Sequence, residues 1–195
     1  MLKPAVTDAP VLDVIAERWS PRAFDADRVM NEADLASLFE AARWAPSSNN
    51  SQPWRFVYAF RGEPEFDALL DAAVPGNQAW VKRASVIVYT VARLKSDQGR
   101  ALWHNRHDTG IALGYLLLQA TAMGFAVHPF GGFDSDKLIA AAGIAAGYEP
   151  VTGLALGYPG NPDELGEEGA RRERAPRSRL KTADFAFHGI FRNGG

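Results

Sequence analysis

Residues 42–56 read ARWAPSSNNSQPWRF. Between Pro46 and Pro53 lie six small polar residues, numbered 47–52. The prolines restrain the backbone, and Ser, Asn and Gln offer both donors and acceptors, so the segment is a dense polar set on a fixed frame. A plain turn needs fewer such residues. A serine nucleophile is the competing use, but no G-x-S-x-G elbow is present. Upstream, Asn31 stands where a helix cap would, with Asp34 three residues on as in a capping box. Leu35, Leu38, Phe39 and Ala42 follow at helical spacing. Pro46 ends that helix, because the residue before a proline is pushed out of the helical region.

Working towards the N-terminus, residues 11–18 (VLDVIAER) predict a short helix, and RWSPRAF follows at 18–24. Arg18, Ser20 and Arg22 place two guanidinium groups and a hydroxyl within five residues. Arginine donates paired, charge-assisted hydrogen bonds, so the cluster suits an anionic oxygen ligand. Taken alone, it reads first as a solvated surface loop, because short basic clusters are common.

Working towards the C-terminus, strands are expected at 55–60, 84–92, 125–129 and 151–157, and helices at 64–73, 101–123 and 135–142. The 84–92 stretch (ASVIVYTVA) is rich in β-branched residues, as a buried strand is. The 101–123 helix becomes apolar on nearly all sides and is expected to be central. Asp163, Glu164, Glu167 and Glu168 suggest an acidic loop, and Arg171, Arg172, Arg174, Arg177, Arg179 and Lys181 a basic run. The apolar end at 184–191 (DFAFHGIF) predicts a strand in need of a surface to cover.

Composition narrows the functions. At 195 residues, 47% hydrophobic and 23% charged, the chain has the make-up of a single soluble domain over residues 1–195. A net charge of −2 gives no basic field for nucleic acid. The absence of cysteine excludes disulfides, thiolate metal sites and cysteine nucleophiles. The most apolar run, 111–123, is too short to span a bilayer. No run near the start has signal-peptide length, so a cytoplasmic location is expected. The HNRHD run at 104–108 lacks the H-E-x-x-H pattern and reads as a polar helix start rather than a metal site. His128, beside Pro129, is read either as touching a ligand pocket or as a satisfied strand-end histidine.

The order R-x-S-x-R-x-F and then A-R-x-A-P-S-S-x-N-x-Q-P-W resembles the FMN-dependent nitroreductases. The resemblance continues through Asn77, the long apolar helix, Pro129-Phe130-Gly131-Gly132-Phe133-Asp134, Gly157-Tyr158-Pro159 and Pro176-Arg177-Ser178-Arg179. It implies an α+β fold, a mostly antiparallel central sheet wrapped by helices. It also implies an interlocked homodimer with two FMN sites at the interface, the 184–191 strand crossing to the partner. By the same resemblance, Arg18 and Ser20 face the FMN phosphate, with Trp19 adding backbone or edge contacts. Arg22 lies near N1 and the C2 carbonyl, where a cation favours the anionic reduced flavin. Pro46, Ser47, Ser48 and Asn50 reach the flavin from the other subunit. Asn77 meets the pyrimidine edge, Gly131 and Gly132 form the loop that brings a backbone N–H to flavin N5, and Arg177 and Arg179 complete the phosphate site.

The implied activity is reduction of a small-molecule acceptor, such as a nitroaromatic or a quinone, by NADPH or NADH in ping-pong order. No G-x-G-x-x-G follows any strand, so a separate dinucleotide site is not expected. Relatives of this fold also carry out reductive dehalogenation, flavin fragmentation and azoline dehydrogenation, and a flavin-binding protein without turnover is a further reading. Two departures stand out. Trp80 occupies a place near which some members carry a lysine, and the 93–103 segment is shorter than the excursion many relatives place over the substrate pocket.

Overall fold

The computed structural model describes residues 3–191. The elements follow as α1 (Asp13–Glu17), α2 (Glu32–Arg43), β1 (Trp54–Phe60), α3 (Pro64–Ala72), α4 (Pro75–Val81), β2 (Val86–Arg93), α5 (Asn105–Ala122), β3 (Ala126–Phe130), α6 (Ser135–Ala142), β4 (Tyr148–Gly157) and α7 (Gly166–Arg174). Short 3₁₀ turns occupy Ser48–Asn50, Pro162–Leu165 and Thr182–Asp184. The strands form one four-stranded sheet in the order β1-β2-β4-β3, every pairing antiparallel. This is the α+β architecture the sequence leads one to expect.

Side chains alternate across a strand with period two, and β2 uses both faces. Val86 and Val88 join Leu154 and Leu156 of β4 in a core closed by Leu35 and Leu38 of α2 and Ala112 and Leu116 of α5. Ile87 and Tyr89 enter the opposite core, with Phe66 and Leu69 of α3, Trp80 of α4 and Leu138 of α6. Covered on both sides, β2 reads as a continuous apolar run rather than an alternating one. Asn31 caps α2 by accepting from the Asp34 N–H at 2.7 Å.

Two glycines permit close approaches that shape the site. Gly153 stands opposite Phe130, and a Cβ there would lie 2.3 Å from the Phe130 ring. Beyond β4, residues 158–160 run antiparallel to 23–25. The Asp25 N–H donates to Tyr158 O at 3.0 Å and the Gly160 N–H to Ala23 O at 2.8 Å. A Cβ on Gly160 would fall 2.4 Å from the Phe24 carbonyl carbon. The RWSPRAF segment is thus lashed to the end of the sheet.

Some expectations need correction. The long helix begins at Asn105 rather than 101, because residues 94–102 form a small excursion closed by the Leu102 N–H to Leu94 O bond. Only one face of α5 is buried, and Tyr115 remains 43% exposed. The expected acidic loop and the first part of the basic run, to Arg174, fold instead as Pro162–Leu165 and α7. Glu167 and Glu168 occupy the first turn of α7, and Arg171, Arg172 and Arg174 the last, the polarity that suits a helix dipole. Residues 184–191 form no strand within the chain. They leave the Thr182–Asp184 turn as bends with no sheet partner among the described residues, and Phe191 is 76% exposed. No helix among the described residues is long and apolar enough to cross a membrane.

Candidate functional site

Arg18, immediately after α1, donates from Nη1 to the Ser20 hydroxyl at 3.2 Å. Burial, followed by the positive charges of Arg177 and Arg179, pulls its guanidinium below the ordinary arginine value. Arg177 is likewise lowered, by burial and then by Arg179. Among the described residues, none of these three arginines forms an ion pair. Three converging cations beside a hydroxyl repel one another unless an anion joins them, so the donor set suits a phosphate. Arg177 has a second task. Its guanidinium donates to the carbonyls of Lys3, Ala16 and Arg18, each at 2.8 Å, clasping the N-terminal strap against the cluster.

Four residues further on, Arg22 lies over the Trp80 indole, 5.8 Å from the ring centroid, and also has no ion pair among the described residues. Its backbone N–H and that of Ala23 both donate to Glu173 Oε1, at 2.8 and 3.0 Å. Glu173 is a buried residue of α7. Trp19 lines a separate cleft with Pro21, Ala23, Phe125 and Glu173, its ring covered by the Lys3 ammonium at 4.6 Å.

The other wall comes from α4 and the end of β3. The Asn77 amide donates to Gly132 O at 3.0 Å, and the Val74 N–H donates to the same carbonyl. A Cβ on Gly132 would lie 2.8 Å from Asn77 Nδ2 and 2.9 Å from Val74 Cγ2, so glycine is what allows the fit. A Cβ on Gly131 would meet nothing within 4 Å, which leaves the space beside this backbone open to a flat ligand. Asn77 and Trp80 are one turn apart on α4, and Trp80 packs edge-on to Phe130 at 5.8 Å. That short helix therefore joins the Arg22 side of the site to the glycine side.

Pro46, Ser47, Ser48 and Asn50 stand elsewhere. Asn49, Asn50 and Gln52 have φ of 51°, 52° and 44°. Such left-handed backbone is tolerated by Asn and strained for Gln, and it persists only where the surroundings enforce it. The enforcement is visible: Ser47 Oγ accepts from the Gln52 N–H at 3.0 Å, and the Ser48 N–H donates to Asp108 Oδ2 at 3.0 Å. Asp108 is a buried carboxylate in the first turn of α5. No hydrogen bond among the described residues connects this turn to Arg18, Arg22, Asn77 or Gly131.

The motifs pointed to neither Glu173 nor Asp108 as a support, and they marked Trp80 only as a missing lysine. Each makes its decisive contact across a long stretch of chain, which no local pattern reveals. The acid in HNRHD was visible, but its partner, the Ser48 N–H, was not.

Comparison with known proteins gives a consistent result. A sequence model described as the Nitroreductase family matches residues 15–74 and 59–158. A protein of Thermus thermophilus named NADH dehydrogenase is 30% identical over 207 residues, covering 88% of this chain and 96% of its own length. An oxygen-insensitive NAD(P)H nitroreductase of Salmonella typhimurium is 23% identical over 191 residues, covering 76% of this chain and 88% of its own. A solved structure described as an oxidoreductase containing FMN is 34% identical, with a TM-score of 0.92 over 97% of this chain and 96% of that one.

Proposed function

The chain belongs to the nitroreductase family, and on that premise we propose that it is an FMN-dependent oxidoreductase in which NADH or NADPH reduces a small acceptor. The observation that carries this reading is the gathering of Arg177 and Arg179 around Arg18, which itself donates to Ser20, with no ion pair to any of the three among the described residues. Open backbone at Gly131 and the Asn77 amide lie on the opposite wall, so the residues present fit a phosphate joined to a planar ring. An FMN-containing relative at 34% identity supports the same cofactor.

When bound, FMN supplies the two-electron chemistry, taking a hydride from the nicotinamide and passing the electrons to an acceptor such as a nitroaromatic or a quinone. The protein's part is position and electrostatics. Arg18, Ser20 and Arg179 hold the phosphate, while Arg177 completes the cluster and clasps the strap behind it. Arg22 sets a positive charge at the pyrimidine edge, which Asn77 also meets. The backbone at Gly131 and Gly132 would back the ring, and with no G-x-G-x-x-G in the chain the nicotinamide and the acceptor would share one site, a ping-pong scheme.

The active unit is a homodimer in this reading, with Pro46, Ser47, Ser48 and Asn50 serving the partner's flavin. The separation of that strained turn from the rest of the site within one chain supports it, as does the exposed apolar segment at 184–191, assigned here to the partner's surface.

Acid release of the bound flavin followed by chromatography tests the cofactor. The expected product is FMN. Recovery of FAD alone, or no flavin retained after reconstitution with FMN, would contradict the proposal.

A further inference from the structure

Arg18, Ser20 and Arg22 sit on an extended segment without regular secondary structure, yet all three must be aimed if FMN binds as proposed. The backbone between them is pinned from two sides. Glu173 Oε1 takes the N–H groups of Arg22 and Ala23. On the other side, His128 Nδ1 lies 2.9 Å from the Pro21 carbonyl oxygen. A carbonyl can only accept, so Nδ1 carries the proton and donates.

His128 is 8% exposed and lies against Trp80, ring centroids 4.4 Å apart. The same indole carries the Arg22 guanidinium. Strand β3 carries His128 and ends at Phe130, directly before Gly131, so one element leads into both walls.

Burial, then the nearby charges of Arg22 and Arg18, push the imidazole down to about 4, against the opposing hydrogen bonds to the Pro21 and Ser20 backbone. At neutral pH it is therefore an uncharged donor. A carboxylate here could not donate to Pro21, and it would pair with the arginines and consume the charge meant for a ligand. An ammonium would repel them.

We infer that His128 is a positioning residue for FMN: by donating from Nδ1 to the Pro21 carbonyl against the Trp80 ring, it aims the Ser20 hydroxyl and the Arg22 guanidinium without neutralising the site. This rests on the FMN reading above. It assigns the Trp80–His128 pair a purpose at the place where a lysine is missing.

Two full-length variants separate donation from packing. H128F keeps a ring against Trp80 and loses the donor. H128N loses the ring and keeps an amide N–H near Nδ1. Circular dichroism of each apoprotein establishes folding, and fluorescence titration gives the FMN dissociation constant. Redox titration of the reconstituted protein gives the flavin potential. H128F should bind FMN roughly 3- to 10-fold more weakly, the effect of one lost hydrogen bond, with a more negative potential. H128N should stay within about threefold of wild type in affinity. A folded H128F with wild-type affinity and potential overturns the inference. So does a folded H128N that binds FMN roughly tenfold or more weakly than wild type, because the ring's packing then accounts for the effect. Either folded variant decides by itself. Failure of the wild type to bind FMN would instead remove the cofactor reading on which the inference depends.

Discussion

Arg22 carries its charge on an exposed side chain held over an indole, with its backbone fixed by a buried carboxylate. That arrangement keeps the guanidinium available to a ligand instead of spending it on an internal ion pair. A cation at the pyrimidine edge stabilises the reduced, anionic ring more than the neutral oxidised one. Arg22→Ala should therefore make the flavin harder to reduce by about 1.5–3 kcal/mol, the range for a hydrogen bond to a charged group. For a two-electron couple this is roughly 30–60 mV more negative. Redox titration of wild type and variant checks it, and an unchanged potential with FMN still bound removes Arg22 from the role. At this scale the sequence was informative where motifs are dense. Arg18 and Ser20 meet, and so do Asn77 and Gly132. It was silent where the partner is remote: His128 meets Pro21 across 107 residues, and Glu173 meets Ala23 across 150.

Elements were legible in proportion to their periodicity. Helix α6 occupies the expected residues, ended by Gly143 in the left-handed conformation, and β2 reads as the buried strand its β-branched residues predict. Helix α4 has only seven residues and little pattern beyond Pro75 in its first turn, yet it carries Asn77 and Trp80. Helix α7 hid inside a charge run, because acids followed three or four residues later by arginines are both a polar loop's composition and a helix's pairing pattern. The first turn of α5 does more than start a helix. Asp108 anchors the strained 46–52 turn through the Ser48 N–H, and an acid there also suits the helix N-terminus. Asp108→Ala should lower stability by about 1 kcal/mol, the effect of losing the bond to a half-buried donor, and weaken FMN binding. Asp108→Asn, which keeps an acceptor, should lose less. Denaturant unfolding with flavin titration measures both, and wild-type stability in Asp108→Ala would show that the anchor carries no weight.

Within a single chain the proposed site is divided, and apolar side chains remain exposed. Ile15 is 45% exposed, Tyr115 43%, Phe185 61% and Ile190 75%. Ile15 and Tyr115 line one shallow apolar depression with Ile111 and Leu118, the kind of surface a partner covers. The terminal segment is the clearest case of a pattern without its partner: DFAFHGIF has a strand's composition, but a strand needs a neighbour, and none lies among the described residues of its own chain. The proposed homodimer supplies one and brings the 46–50 turn to the partner's flavin. Light scattering during FMN titration should find a dimer throughout, and a monomer that binds FMN tightly would refute the shared site. If one flavin surface serves nicotinamide and acceptor in turn, each half of the reaction runs without the other reactant. Anaerobic mixing of the FMN-loaded protein with NADH or NADPH alone, followed by acceptor alone, tests this. The flavin's visible absorption should be lost in the first step, without acceptor, and return in the second, without nicotinamide. Absorption that persists with both nicotinamides, or that falls only when the acceptor is also present, would contradict it.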